Sequence, residues 1–123
     1  MSRGDAPTDF KVPPPGSWTF FTNHAHVLIC LASDPDLRIR DLAPMVGITE
    51  RAVQRILREL VEGGFLEIEK VGRRNHYTVR PDSHLRHPVE AHATVGALIG
   101  VIRSMKDDSE SGLDAGDSMS ESA

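Results

Sequence analysis

Gly47-Ile48-Thr49-Glu50-Arg51-Ala52-Val53-Gln54-Arg55-Ile56-Leu57-Arg58-Glu59-Leu60 is the stretch on which the fold turns. It reads as a turn followed by an amphipathic helix. Gly47 supplies the positive φ needed where a preceding helix stops. Thr49 is a good N-cap, and Glu50 places negative charge in the first turn. Val53, Ile56, Leu57 and Leu60 recur at a 3.6-residue period and form one apolar stripe. At about 100° per residue, Arg51, Arg55 and Arg58 fall on the opposite side, with Gln54 at its edge. A helix that buries one face and lines up arginines on the other suits the major groove of DNA. Arg is the commonest bidentate partner of guanine, and Gln can pair with adenine. A solvated surface helix would carry the same arginines, so the flanking sequence decides.

Upstream, residues 40–46 read as a short helix with Leu42, Ala43 and Val46 on its apolar side, and residues 37–39 as a short strand. Two helices joined by a few residues, with Gly in the turn and an apolar residue after it, form a helix-turn-helix pattern. Pro44 removes a backbone donor and is best tolerated in a first turn, which predicts a late start or a kink. Asp34-Pro35-Asp36 is a break. Before it, residues 18–33 form a helical segment that Thr22 or Asn23 caps, with Val27, Leu28, Leu31 and Ala32 as its apolar face. Trp18, Phe20 and Phe21 precede the cap. They either staple the helix to the core or belong to a subunit interface, where Trp and Phe are enriched.

Downstream, Gly63-Gly64 stops the helix. Leu66 and Ile68 then alternate with Glu67 and Glu69, the period-two mark of a half-buried strand. After Gly72-Arg73-Arg74-Asn75 the alternation resumes, with Tyr77 and Val79 toward the core. Strand, Gly-containing turn, strand is a β-hairpin. Its tip carries Arg73 and Arg74, placed to reach phosphates or a minor groove.

Residues 23–80 resemble the winged helix-turn-helix domain of transcription regulators of the MarR and ArsR type. The resemblance is carried by "LRIRDLAPMVGITERAVQRILRELVEGGFLEIEKVGRRNHYTV". It implies a recognition helix over residues 49–60 in the major groove and a wing over residues 71–77 on the flanking backbone. It also implies a homodimer on a pseudo-palindrome. Two positions depart from the pattern: Arg38 stands where Ser or Thr usually caps the second helix, and Pro44 lies inside that helix.

Beyond the break at Pro81-Asp82-Ser83, a last helix is predicted over residues 89–105, with Val95, Leu98, Ile99, Ile102 and Met105 as its stripe. Three helices and a hairpin already complete a winged-helix core, so this helix calls for another surface. A homodimer interface supplies one, as does packing on the first helix. Candidate dimerisation residues are therefore Trp18, Phe21, Val95, Leu98 and Ile102.

Composition fits this reading. The 123 residues carry a net charge of −4, at first sight unfavourable to a nucleic-acid partner. The acidity, however, is concentrated at the end, where residues 104–123 hold one Lys against six acidic side chains. Residues 51–80 hold seven Arg or Lys against four Glu, so positive charge surrounds the recognition helix. The single cysteine, Cys30, excludes an intramolecular disulfide and fits a reducing cytoplasm. No signal-peptide pattern and no run long enough to span a bilayer is present, so no membrane role is expected.

The sequence holds no nucleotide-binding Gly-rich loop, paired carboxylates or nucleophile motif, so no catalysis and no cofactor are expected. His24, His26, Cys30, His84, His87 and His92 lack the spacing of a strong metal site, and no metal ligand is assigned. The expected architecture is mainly helical α+β. It comprises a disordered or extended arm over residues 1–17, a winged helix over 18–84, a dimerising helix over 85–106 and a disordered acidic tail over 107–123. The expected function is sequence-specific binding of double-stranded DNA by a homodimeric transcription regulator, with Arg51, Gln54 and Arg55 at base edges. Thr49 and Arg58 would hold phosphates, and Arg73 and Arg74 would form the wing contact. A protein-binding winged helix and a metal-responsive repressor remain as alternatives. The sequence names no small-molecule effector.

Overall fold

A computed structural model describes residues 13–14 and 16–110, with side chains as far as 105. Residues 1–12 and 15 of the arm expected over 1–17, and the expected tail beyond 110, lie outside the described residues. The chain divides into two compact units, Met1–Thr78 and Val79–Ala123. The order of elements is three helices, a hairpin and a last helix: α1 (Asn23–Ser33), α2 (Ile39–Val46), α3 (Glu50–Glu62), β1 (Leu66–Val71), β2 (Arg74–Val79) and α4 (Val95–Glu110).

In the first unit each helix begins and ends where local chemistry allows. Thr22 caps α1, its hydroxyl accepting from the Ala25 N–H at 3.4 Å, and Pro35 follows shortly after its end. The helix buries Val27, Leu28 and Leu31. Instead of a short strand, residues 37–39 lead directly into α2, which starts at Ile39. The reason is Asp41, whose carboxylate accepts the Arg38 N–H at 2.9 Å and its Nε at 3.1 Å. Asp41, the third residue of the helix, thus makes the half of a capping box in which the N3 carboxylate takes the N–H of the residue at the cap position. The start is early, not late, and the helix runs through Pro44.

Gly47 ends α2 at φ 88°, in the left-handed region, and its N–H donates to the Ala43 carbonyl at 2.8 Å. Thr49 then caps α3, accepting from the Ala52 N–H at 3.0 Å. The apolar stripe of α3, Val53, Ile56, Leu57 and Leu60, is buried, and this helix packs on α1, α2 and β1. Gly64, at φ 85°, reverses the chain into β1. Leu31, Leu42, Ile56, Leu66, Val27 and Val53 are the most fully buried side chains, so the core lies where the three helices meet the start of the hairpin.

The hairpin is a two-stranded sheet. Gly72 takes φ 65° while Arg73 stays at negative φ, the pattern of a type II′ turn. The expected alternation holds only in part. Leu66 and Tyr77 are buried, but Ile68 is 44 % exposed and Val79 only half-buried. One buried residue per strand is what a short, outlying hairpin can tuck under itself.

In the second unit, residues 81–94 run through turns closed by an antiparallel bridge between His84 and Thr94, and α4 starts at Val95 instead of residue 89. Thr94 sets that start: its hydroxyl accepts from the Ala97 N–H at 3.2 Å. The Val95 and Gly96 amides donate to the Ser83 and Pro81 carbonyls at 2.8 and 2.9 Å. A Cβ at position 96 would lie 2.8 Å from the Pro81 carbonyl oxygen, so only glycine fits this crossing. The helix continues through Asp107 and Asp108 to Glu110, into the stretch expected to be tail.

Candidate nucleic-acid interface

Burial of the α3 stripe fixes the helix's rotation and with it the residues that face water. Thr49, Arg51, Gln54, Arg55 and Arg58 are all exposed. The Arg55 guanidinium lies 3.5 Å from Glu59 Oε1, one turn on. The same oxygen is 2.7 Å from His24 Nε2 of α1. The His24 hydrogen bond is the main reason that the Glu59 carboxyl titrates below its ordinary range; partial desolvation opposes it, and Arg55 adds to it. Glu59 therefore stays anionic and holds Arg55 along the helix from one side, leaving its other donors outward. The exposed surface of α3 carries Arg51, Gln54, Arg55 and Arg58 beside three glutamates, Glu50, Glu59 and Glu62, of which Glu59 pairs with Arg55.

The hairpin presents Gly72 and Arg73 at its tip, both exposed. Arg74 lies at the start of β2, and its Nη2 donates to the Asp36 carbonyl at 2.6 Å. The structure thus separates two residues that the sequence had paired: Arg73 projects, while Arg74 is tethered by one of its five N–H donors.

Residues 22–67 match the family model of a winged helix-turn-helix DNA-binding domain. The segment is a winged helix-turn-helix. The hairpin that follows α3 stands where the wing of that fold does. A similar solved structure is the zinc-dependent MarR family transcriptional regulator AdcR in its Zn(II)-bound state. The two are 23 % identical over 63 % of this chain and 55 % of that one, with a TM-score of 0.42. The chain thus spans about half of that regulator's length. No curated protein matches the sequence.

The residues assigned to a subunit interface are placed unevenly. Trp18 is 79 % exposed and sits edge-on to Phe20, with ring centroids 5.6 Å apart. Phe21 is exposed, and Leu98 and Ile102 are half-buried. Val95 is only 2 % exposed, so it is already covered and offers little to a second copy. Val101 and Met105, by contrast, are exposed on α4.

Five of the six histidines have hydrogen-bond partners, His76 among them through Asp36. His24 bonds Glu59, His26 Nδ1 lies 3.1 Å from Asn23 Oδ1, and His84 Nδ1 donates to the Ala91 carbonyl at 2.8 Å. His87 Nδ1 accepts the Val89 N–H at 3.1 Å. Among the described residues no group of three or more His, Cys, Asp or Glu is arranged to hold a metal, and no helix is long and apolar enough to cross a membrane. Sequence reasoning did not find Asp36, His24 or Glu59. Each acts through a partner more than thirty residues away, and local periodicity carries no signal for that.

Proposed function

We propose that this chain is a cytoplasmic, non-catalytic transcription regulator that binds specific double-stranded DNA as a homodimer. The observation that carries the reading is the two-sidedness of α3: Val53, Ile56, Leu57 and Leu60 buried, Arg51, Gln54, Arg55 and Arg58 exposed. With α3 in the major groove, Arg51, Gln54 and Arg55 read base edges, and Thr49 and Arg58 hold phosphates. Arg73 reaches the backbone beside the groove, and Arg74 joins it through the donors that its bond to Asp36 leaves over. Trp18, Phe21, Leu98 and Ile102, together with the exposed Phe20, Val101 and Met105, supply apolar surface for a second copy.

In vitro selection of duplexes by the purified chain tests this. The expected product is a pseudo-palindrome whose half-sites are about 10–10.5 base pairs apart, or a multiple of that, bound by a species of twice the chain's mass in light scattering. Enrichment of an asymmetric site by a monomer would retain the DNA reading and remove the dimer. No retention of any duplex at low salt would remove both and favour a protein-binding winged helix.

A further inference from the structure

The connection between α1 and α2, which the sequence marks only as a break, is what holds the wing. Asp36 Oδ1 lies 2.8 Å from His76 Nδ1 on β2. The backbone carbonyl of Asp36 accepts Arg74 Nη2 at 2.6 Å, and the Pro35 carbonyl accepts the Tyr77 N–H at 2.9 Å. Arg74 and His76 are two apart on a strand, so both side chains leave it on one face, while Tyr77, next after His76, turns the other way and is buried. Asp36 is itself held, its N–H donating to Asp34 Oδ1 at 3.1 Å in an Asx turn. Pro35 has no N–H to give, so the connection meets the strand through its carbonyls. A two-stranded hairpin is marginal when left alone. Here three bonds from one short segment fasten it within a few residues of its tip.

We propose that Asp36 is a positioning residue for DNA binding: its carboxylate, through His76, fixes the angle at which the Gly72-Arg73 tip is presented. The inference rests on the reading that DNA is the ligand. Arg73 is the group that touches phosphate; Asp36 acts through the strand that carries it. A tip that swings freely must be ordered on the duplex, and that ordering subtracts from binding.

The test turns on a sign. Asp36 is acidic, and deleting a negative charge from a DNA-binding surface should by simple electrostatics tighten binding. The positioning role demands the reverse. With a fluorescently labelled mixed-sequence duplex at low salt, Asp36→Ala in the full chain should weaken binding about two- to fivefold, the scale of an exposed ion pair. Asp36→Asn carries the same charge as Asp36→Ala but keeps an acceptor oxygen for His76, and should bind more tightly than Asp36→Ala. His76→Ala should reproduce the loss and add nothing to it in the double variant. In an Arg73→Ala background, Asp36→Ala should bring no further loss.

Hydrogen exchange separates positioning from misfolding: the Tyr77 amide should exchange faster in Asp36→Ala while the α3 amides keep their protection. Should Asp36→Ala lose that protection as well, the comparison of His76→Ala with the intact chain carries the test. Wild-type binding together with unchanged or tighter binding by Asp36→Ala, or by His76→Ala in its place, overturns the inference alone. No binding by the wild type at low salt overturns the DNA reading and the inference with it.

Discussion

Helix α3 and the wing both present arginines to solvent, but their order comes from different sources. The register of α3 is set within itself. Thr49 starts it, Gly63 and Gly64 end it, and four buried side chains at helical spacing fix its rotation. Once the stripe is buried, the outward position of Arg51, Arg55 and Arg58 follows, and the ion pair that Arg55 makes with Glu59 stays within the helix. The wing buries little. Beyond Leu66 and Tyr77 its apolar residues are half-buried or exposed, and its attitude depends on Asp36, whose partners on β2 are 38 and 40 residues away. An element organised by its own period displays its ligand face by default. An element held from outside displays it only while the hold lasts.

The largest effects should follow burial. Ile56→Ala removes a side chain that is 1 % exposed at the centre of the three-helix core. It should cost about 2–5 kcal/mol of stability in chemical denaturation. Ile68→Ala, the same truncation in the wing, should stay within about 0.5 kcal/mol. Comparable losses at the two sites would erase the distinction between a packed helix and a tethered hairpin.

A second contrast concerns what each region reads. Arg55→Ala should relax discrimination at one base pair by about 1–3 kcal/mol and leave binding to other sequences little changed. Arg73→Ala should weaken all sequences alike and flatten the log–log salt slope by about one unit. Titrations of the selected site and its single-base variants, at several salt concentrations, measure both. Uniform weakening by Arg55→Ala would make α3 a backbone clamp and transfer specificity elsewhere.

The same contrast explains what the sequence could show. The α3 stripe, the Thr49 cap and the Gly47 turn lie within a few residues of their partners, and the helix emerged at its place with its outward face as expected. The β1 alternation misleads at Ile68, because period two states which residues share a face and not how much of that face is covered. Residues 37–39 read as a strand until Asp41 is recognised as the partner of the Arg38 N–H at the start of α2, a start that Ser or Thr at position 38 would have announced in its own way. The start of α4 was signalled by Thr94, yet the apolar residues before it drew the helix back toward residue 89. The tethering of Arg74 to Asp36 had no local sign at all. It exists only after the chain has folded, and so the two arginines at the tip looked equivalent.

The smallest effect tests how self-sufficient α3 is. Glu59 is its one described tie to a distant partner, 35 residues away at His24. That hydrogen bond is the first cause of the lowered Glu59 titration. A carboxyl whose pKa falls on folding adds stability above its unfolded value, near about 4.3 for Glu, and loses it as the pH falls through the folded value. The contribution is therefore whole at neutral pH and fades only in acid. In His24→Ala, carboxyl NMR should show Glu59 titrating closer to its ordinary range. Asp41, held low chiefly by its hydrogen bonds to Arg38, should not move. If α3 sets its own display, the discrimination due to Arg55 should survive this change at neutral pH, because Arg55 still has Glu59 one turn away. Loss of that discrimination in His24→Ala would mean that the recognition helix, like the wing, depends on an outside hold.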